Sequence, residues 1–288
     1  MIRSARVLVF AALLAGGQTG SVARAQEGLT GSEEADVYRA ANVQDEKGKL
    51  PVLVMLIGAG ARFRNIRLEV GDGSGGTERR SFDTGAYLDF GWHFMVRPWA
   101  KRSIKAAMQA MILQVDGGSG IGLTVEPEDT GISLRTNTWR LLGQLGYLYP
   151  FERLQVGGLL GVGGDVLHID LNSVLPSSSI VYVRLGPAFS YDLVRSFLAM
   201  RFDFGLRFPF ALGDLSDAFG DDSSAFGLDA ALMLGGRLQA GFSYAFRFVW
   251  EYYRLRFSGT PMDVPSMGDG GRGTDHALTF QVLLGWSL

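Results

Sequence analysis

The stretch LQAGFSYAFRFVWEY, residues 238–252, decides the fold class because its side chains alternate between two kinds. One set, from Leu238 to Tyr252, is apolar or aromatic, and the interleaved set, from Gln239 to Glu251, is mostly small, polar or charged. Successive side chains of a β-strand point to opposite faces, whereas a helix would scatter these aromatic residues around its circumference. The stretch therefore predicts a strand with one apolar face.

The same alternation recurs along most of the chain. Residues 198–210 and 278–288 show it as clearly, residues 86–96 and 180–191 show it more weakly, and residues 139–149, 154–167 and 226–234 show it with more glycine. The segment 102–116 is ambiguous, because its Ala, Met and Gln content would suit a helix as well. The predicted strands are residues 51–65, 84–97, 102–116, 131–149, 152–168, 179–192, 195–210, 224–235, 237–257 and 275–288.

The connections between these strands alternate in length. The short ones are at 98–101, 150–151, 193–194 and 236, and the long ones are at 66–83, 117–130, 169–178, 211–223 and 258–274. An even number of strands with alternating short turns and long loops is typical of a closed antiparallel up-and-down transmembrane β-barrel, with the short turns periplasmic and the long loops extracellular. We therefore predict an all-β barrel of about ten strands with both ends of the barrel segment on the periplasmic side.

The N-terminus has the pattern of an export signal. Arg3 and Arg6 precede a short apolar run over residues 7–16, and Ala23–Ala25 offers a small-x-small cleavage site. We expect residues 1–25 to be a removed signal peptide and residues 26–50, which are polar, to be a periplasmic tail or a small plug. Residues 51–288 then form the barrel, and the predicted location is the outer membrane of a Gram-negative bacterium.

Composition limits the remaining possibilities. The chain is 47% hydrophobic, yet residues 26–288 contain no uncharged apolar run long enough for a membrane helix. It has no cysteine, which excludes disulfides, thiolate metal sites and a cysteine nucleophile. Residues 26–288 keep 24 of the 27 basic and all 29 acidic residues, a formal charge of −5 that gives no support for a nucleic-acid partner.

The free-energy cost of placing a charged side chain in lipid determines which way the polar faces point. An Arg or Lys that points into lipid at mid-membrane destabilises a barrel by roughly 2–4 kcal/mol. The polar faces carry many such residues, including Arg62 and Arg64, so they must line the lumen, where carboxylates can pair with them. The predicted lumen-lining residues are Arg62, Asp89, His93, Lys105, Arg140, Asp165, Arg184, Arg201, Asp203, Arg207, Asp229, Arg247 and Glu251. Ten strands lie near the size at which side chains fill the interior, so a wide porin channel is not expected.

With this pattern, residues 51–288 resemble outer-membrane β-barrel proteins as a broad class. The last strand, Leu278–Leu288 with Gly285 and Trp286, is similar to the C-terminal assembly signal of that class, although it ends in Leu288 where an aromatic residue is usual. The resemblance implies two partners: outer-membrane lipid with lipopolysaccharide, and the barrel assembly machinery through Leu278–Leu288. The oligomeric state is left open.

Two His–Asp pairs near strand ends are the candidates for catalysis. His168 with Asp170 and Asp275 with His276 are comparable in type to the rim pairs of ten-stranded omptin proteases, but the omptin motifs are not evident, and alternation turns both histidines toward the lipid side. The lumen-facing serines Ser190, Ser243 and Ser287 have no evident histidine partner. The loop aspartates Asp214, Asp217, Asp221 and Asp222 match no defined calcium loop. No metal site and no cofactor is predicted.

Three functions remain open at this point. The first is a non-enzymatic outer-membrane barrel with a structural role, a role in surface interaction, or a role in the passage of small solutes. The second is a hydrolase of the omptin or lipid-modifying type with His168 or His276 at its rim. The third is a soluble, lipocalin-like barrel that holds an apolar ligand inside.

Overall fold

The computed structural model describes residues 51–71, 76–100, 106–125, 134–170, 176–194, 197–259 and 270–288. The predicted signal peptide, the segment 26–50 and Lys105 lie outside these residues.

Ten antiparallel strands form one closed barrel, which confirms the predicted fold class. Each strand pairs with its neighbours in the chain, and the first strand pairs with the last. Closure leaves no sheet edge among the described strands, so their backbone groups are satisfied by one another. The strands are β1 (Leu53–Gly71), β2 (Thr77–Val96), β3 (Met111–Val125), β4 (Leu134–Phe151), β5 (Leu154–Ile169), β6 (Ser178–Val194), β7 (Leu198–Ala211), β8 (Asp222–Arg237), β9 (Phe242–Ser258) and β10 (Gly271–Ser287).

Two short α-helices lie between strands among the described residues. Helix α1 (Ala106–Gln109) precedes β3, and helix α2 (Asp214–Phe219) connects β7 to β8. In the part of the chain that the structure describes, no helix is long and apolar enough to cross a membrane.

The predicted strand 102–116 is wrong in its bounds. Residues 106–109 are helix α1, and β3 starts at Met111 and continues to Val125 through a glycine-rich stretch predicted as a loop. The helix uses two alanines, a methionine and a glutamine, which are all good helix formers. Glycine fits this part of the strand because large side chains lie against the backbone. A Cβ at Gly117 would meet the ring of Trp92, and one at Gly118 would meet the guanidinium of Arg140.

The strands also reach further than predicted at the end of the barrel that carries the long connections, which we call the rim. β1 continues to Gly71 and β2 begins at Thr77, so most of the predicted loop 66–83 is strand. Similarly, β10 begins at Gly271. At the opposite end, β9 begins at Phe242 and not at 237, because a 3-10 turn with Ala240 in the left-handed region (φ 56°) precedes it.

The interior is filled in three layers, whose order can be followed along β1. Leu56 belongs to an apolar floor near the short turns, Arg62 and Arg64 belong to a charged layer, and Leu68 belongs to an apolar upper layer below the rim. The floor contains Met95, Ile112, Leu148, Leu159 and Ala188 on one side and Leu56, Ala245 and Leu283 on the other. The upper layer contains Ile66, Leu68, Val70, Phe82, Tyr87, Leu167, Ile169, Ile180, Tyr182, Tyr253, Leu255 and Phe257, together with Leu212, Leu215, Ala218 and Phe219 from α2 and its flank.

Glycines on the inner face make room for the aromatic residues of this interior. A Cβ at Gly163 would lie 2.7 Å from the hydroxyl of Tyr182, and a Cβ at Gly227 would lie 2.7 Å from a ring carbon of Tyr253. Both rings are buried. Part of the chain's high glycine content is therefore a packing requirement.

The outer surface carries an apolar band. Along β10 and the residue that follows it, Leu278, Val282 and Leu288 belong to an outward row that is apolar at every second position and is about half exposed. Ten residue steps at about 3.4 Å give about 34 Å along the strand, and at a tilt of about 45° this corresponds to about 24 Å of height. That height matches the roughly 25 Å apolar band of outer-membrane barrels. The band opposes the lipocalin-like alternative, because a soluble barrel would expose it to water.

Candidate functional site: the charged layer and the rim

The charged layer contains seven arginines and seven carboxylates in the described part of the chain. The predicted lumen residues that the structure describes all have interior side chains, and Arg64, Asp116 and Asp275 join them in this layer. A further buried arginine, Arg97, lies nearer the short turns and donates to Gln155 at 2.7 Å. The charged members are Arg62, Arg64, Arg140, Arg184, Arg201, Arg207 and Arg247 with Asp89, Asp116, Asp165, Asp203, Asp229, Glu251 and Asp275. Equal numbers of opposite charges allow this layer to be buried without a net charge.

One continuous chain of ion pairs crosses the lumen. It begins with Asp275 of β10, which accepts from Arg64 Nη2 at 2.6 Å, and Arg64 Nη1 also donates to Asp165 of β5 at 3.2 Å. Arg62 Nη2 then connects Asp165, at 3.1 Å, to Glu251 of β9, at 2.9 Å. Because β1 and β5 lie on opposing walls of the ring, these contacts span the interior.

The chain continues from Glu251 along the other wall. Arg207 Nη2 lies 2.8 Å from Glu251, and Arg207 Nε donates to Asp229 at 2.6 Å. Arg184 Nε donates to both carboxylate oxygens of Asp229 at 2.9 Å, and its Nη2 also pairs with Asp203. The structure thus joins side chains from β10, β1, β5, β9, β7, β8 and β6 into one network.

The aromatic rings of the upper layer cover this network. The guanidinium of Arg207 lies 4.5 Å from the ring centroid of Tyr182 and 5.5 Å from that of Tyr253, and its Nη1 donates to the Tyr253 hydroxyl at 2.6 Å. Cations over aromatic faces are attracted more strongly when they are desolvated. Arg207 is therefore fixed by two carboxylates and two rings.

Two smaller polar groups complete the layer. Arg140 binds both oxygens of Asp89 at 2.6 and 2.7 Å, and Gln281 donates to the same carboxylate at 2.7 Å. Nearer the floor, Asp116 lies 2.8 Å from Nδ1 of His93 and 2.9 Å from Nη2 of Arg247. His93 therefore holds Asp116 in place within this buried group. Within the described chain its ring contacts no serine that could act as a nucleophile.

The two His–Asp pairs proposed for catalysis do not form a common site. His168 and His276 are both exposed on the outer face, whereas Asp275 is buried and bound to Arg64. β5 and β10 are five strands apart in either direction around the ten-stranded ring, so the two histidines lie on opposite sides of the barrel. They cannot act on the same substrate atom.

Sequence reasoning missed one contact at His168. The hydroxyl of Ser177 lies 3.3 Å from His168 Nδ1, as a serine nucleophile and its base would. The same hydroxyl, however, accepts from the backbone N–H of Ile169 at 3.0 Å and contacts its carbonyl at 3.3 Å. Ser177 therefore joins β5 to its following loop, a structural role that accounts for its position.

The remaining candidates have structural contacts as well. Ser243 and Ser287 hydrogen-bond to each other at 2.8 Å near the short turns, and Ser190 lies half-buried on β6. Asp214 and Asp217 lie on α2, Asp221 directly precedes β8, and Asp222 is the first residue of β8. Among residues with described positions, no group of three or more His, Asp or Glu side chains is arranged to hold a metal ion.

Comparison with known proteins supports the fold only. No protein-family model and no curated protein matches the sequence. The outer membrane protease OmpT from Escherichia coli is similar in structure, with a TM-score of 0.50 and 9% identity over 82% of this chain and 96% of that one. An outer membrane channel of the COG4313 group from Pseudomonas putida F1 has a TM-score of 0.35 and 12% identity over 81% of this chain and 96% of its own. The predicted resemblance to bacterial outer-membrane β-barrel proteins is confirmed at the level of the fold.

Proposed function

We propose that this chain is an outer-membrane barrel that does not conduct solutes and that acts through its rim, in a structural role or in surface interaction. The orientation is the one predicted from the sequence, with the short turns in the periplasm and the rim at the cell surface. Export by the signal peptide over residues 1–25 and recognition of Leu278–Leu288 by the barrel assembly machinery belong to the same proposal.

The observation that carries the proposal is the ion-pair chain across the lumen. Arg62 and Arg64 reach from β1 to Asp165 on the opposing wall, with all three side chains at least 98% buried. A solute would have to break these contacts, which are buried between two apolar layers and cost several kcal/mol to leave unpaired. This arrangement opposes the alternative of small-solute passage.

Planar-bilayer recording tests the proposal directly. We expect the purified full chain to insert, as judged by heat-modifiable migration on a gel, and to show no steady ohmic conductance. Steady conductance from the folded wild-type chain would overturn the closed-barrel proposal.

A variant without α2 distinguishes closure of the barrel by the charged layer from closure by the rim. Replacing Asp214–Phe219 by a Gly-Ser linker of equal length removes α2 from the upper layer, and we expect the barrel to stay silent because the charged layer is intact. If this variant conducts steadily while the wild type does not, α2 and not the charged layer closes the barrel.

A further inference from the structure

The outward face of β9, β10 and β1 carries a cluster of arginines just above the apolar band. Arg254 and Arg256 lie on β9, Arg272 on β10 and Arg67 on β1, and all four are exposed. Their chain neighbours Leu68, Tyr253 and Leu255 point inward into the upper layer, so the arginines point away from the barrel. We call Arg67, Arg254, Arg256 and Arg272 the basic face.

The strand register brings these four residues together. Arg256 pairs directly with Arg272, and Arg67 and Arg254 both pair with Thr274 between them. Neighbouring strands are about 4.8 Å apart, so Arg67 and Arg254 have backbones about 10 Å apart on one continuous surface. Long arginine side chains can converge on one group across that distance.

The positive charge of the basic face is only partly compensated. Glu69 is the outward carboxylate on the described rim ends of these three strands, and it is paired with Arg272 at 2.6 Å and with Arg79 of β2 at 3.1 Å. Arg67, Arg254 and Arg256 form no ion pair with any described residue. On β2, the next carboxylate, Asp83, accepts from the backbone N–H of Gly85.

The aromatic residues beneath the basic face indicate its depth relative to the membrane. Trp250 and Tyr252 are stacked at 6.3 Å with their planes 3° apart, and the ring of Tyr252 lies 4.7 Å from that of His276. Amphipathic rings of this kind mark the membrane–water interface. Arg254 follows Tyr252 by two residues, about 7 Å along a strand and about 5 Å in height at a tilt of about 45°. This is the depth of lipid head groups.

The next strand along the rim carries the opposite charge. β8 pairs with β9, and its first residue, Asp222, lies opposite Ser258, two residues beyond Arg256. Asp221 and the α2 residues Asp214 and Asp217 precede it, so acidic residues border the basic face on the β8 side. The upper outward positions of β6, such as Ser179 and Val181, are uncharged. If these arginines served only to keep the rim soluble, they would not need to lie together on three adjacent strands directly above the stacked aromatic pair.

We propose that the basic face binds the phosphate groups of a lipopolysaccharide molecule in the outer leaflet, with Trp250 and Tyr252 beneath the head group. Arginine is suited to this because its guanidinium can donate two parallel hydrogen bonds to a phosphate. The inference deepens the proposed function, on whose outer-membrane location it rests, by naming a lipid partner and its site.

Native mass spectrometry of the full chain in phosphatidylcholine nanodiscs tests this, with bisphosphorylated lipid A as the probe. The test variant is Arg67→Gln/Arg254→Gln/Arg256→Gln, and the matched control is Arg135→Gln, an exposed outward arginine on β4. We expect the triple variant to lower lipid A affinity by at least about tenfold, because charge-assisted hydrogen bonds to phosphate are lost. The Arg135→Gln variant should bind as the wild type does.

Two further arms identify the ligand chemistry. Dephosphorylated lipid A should bind the wild type as weakly as lipid A binds the triple variant, and raising the salt from about 0.1 M to 1 M should weaken only the phosphate-dependent part. Equal binding by the triple variant and the wild type, or by phosphorylated and dephosphorylated lipid A, would overturn the inference. Displacement by millimolar inorganic phosphate would also overturn it, since that result identifies a site for soluble anions.

Nanodisc insertion is scored separately by heat-modifiable migration. A barrel that inserts but shows no phosphate dependence contradicts this inference and leaves the proposed function standing. A chain that stays soluble without detergent contradicts both.

Discussion

The lower and upper parts of the barrel wall follow the same two-residue period but place opposite chemistry on its two faces. On the lower part of β1, Arg62 points inward and Phe63 outward, whereas a few residues higher Leu68 points inward and Arg67 outward. On β9, Glu251 and Leu255 face inward at the corresponding two heights. The backbone geometry does not change at this boundary.

The medium around the wall, lipid or water, therefore decides which face of a strand is apolar. Where the wall meets lipid, apolar side chains point outward and the charges must find partners inside. Where the wall rises into water, the charges point outward and the apolar side chains fill the interior, as in a soluble domain. Four sets of substitutions test this comparison.

Removing an interior carboxylate should have the largest effect. Asp165→Leu takes one partner from both Arg62 and Arg64 in a buried layer, and we expect the free energy of unfolding to fall by about 3–5 kcal/mol. Urea titration followed by tryptophan fluorescence measures this. Asp165→Asn, which keeps the size of the side chain and part of the hydrogen bonding, should lose less, and a loss below about 0.5 kcal/mol for Asp165→Leu would contradict the layer's structural role.

A cavity in the upper layer tests whether that region is packed like the core of a soluble protein. Leu255→Ala should cost about 2–5 kcal/mol of unfolding free energy, since Leu255 is buried among apolar neighbours. The control is its chain neighbour, where Arg256→Ala should change stability by less than about 0.5 kcal/mol in detergent. Similar losses at both positions would mean that the two faces are not distinguished at this height.

Placing the same charge at two heights on the outer face of β10 locates the boundary. Val282→Arg inserts a cation into the apolar band, and we expect it to cost about 2–4 kcal/mol of folding free energy in liposomes. Thr274→Arg, on the same face but higher, should cost about 0–1 kcal/mol. Equal costs in a refolding titration would show that Thr274 is also within the hydrocarbon.

Neutralising an exterior carboxylate should have the smallest effect. Glu69 lies between Arg79 and Arg272 as Asp165 lies between Arg62 and Arg64, but outside the barrel. Exposed ion pairs are weakened by water and salt, so Glu69→Gln should produce no measurable shift of the urea midpoint, in contrast to Asp165→Asn. A shift as large as that of Asp165→Asn would mean that burial is not what makes the interior pairs strong.

Local alternation was sufficient to predict which way most side chains point. Arg184, Arg207 and Glu251 were placed in the lumen from the sequence, and their interior positions follow from strand parity alone. Which residues pair could not be predicted in the same way. Arg62 and Asp165 are 103 residues apart, and their contact depends on the register of every strand between them.

The rim was the least predictable region, for a physical reason. The Gly, Asp and Ser content of residues 66–83 predicts a loop, whereas Arg67 and Glu69 lie on β1. The strand continues because its outer face has left the membrane. A single sequence does not show at which residue the surroundings change from lipid to water. Asp275 was assigned to a catalytic pair because it adjoins His276 near a strand end, although its alternation with His276 turns it inward.

The pairing of β1 with β10, which we call the seam, determines the order in which the barrel can fold. It joins Val54 to Ser287 and Val70 to Gly271, partners about 200 residues or more apart along the chain. Loop closure over such separations is slow, so this pairing is expected to form last. Until then, β1 and β10 each present an unpaired edge, which is prone to pair with other chains. The step most exposed to aggregation is therefore the joining of the two ends of the sheet, after all ten strands exist.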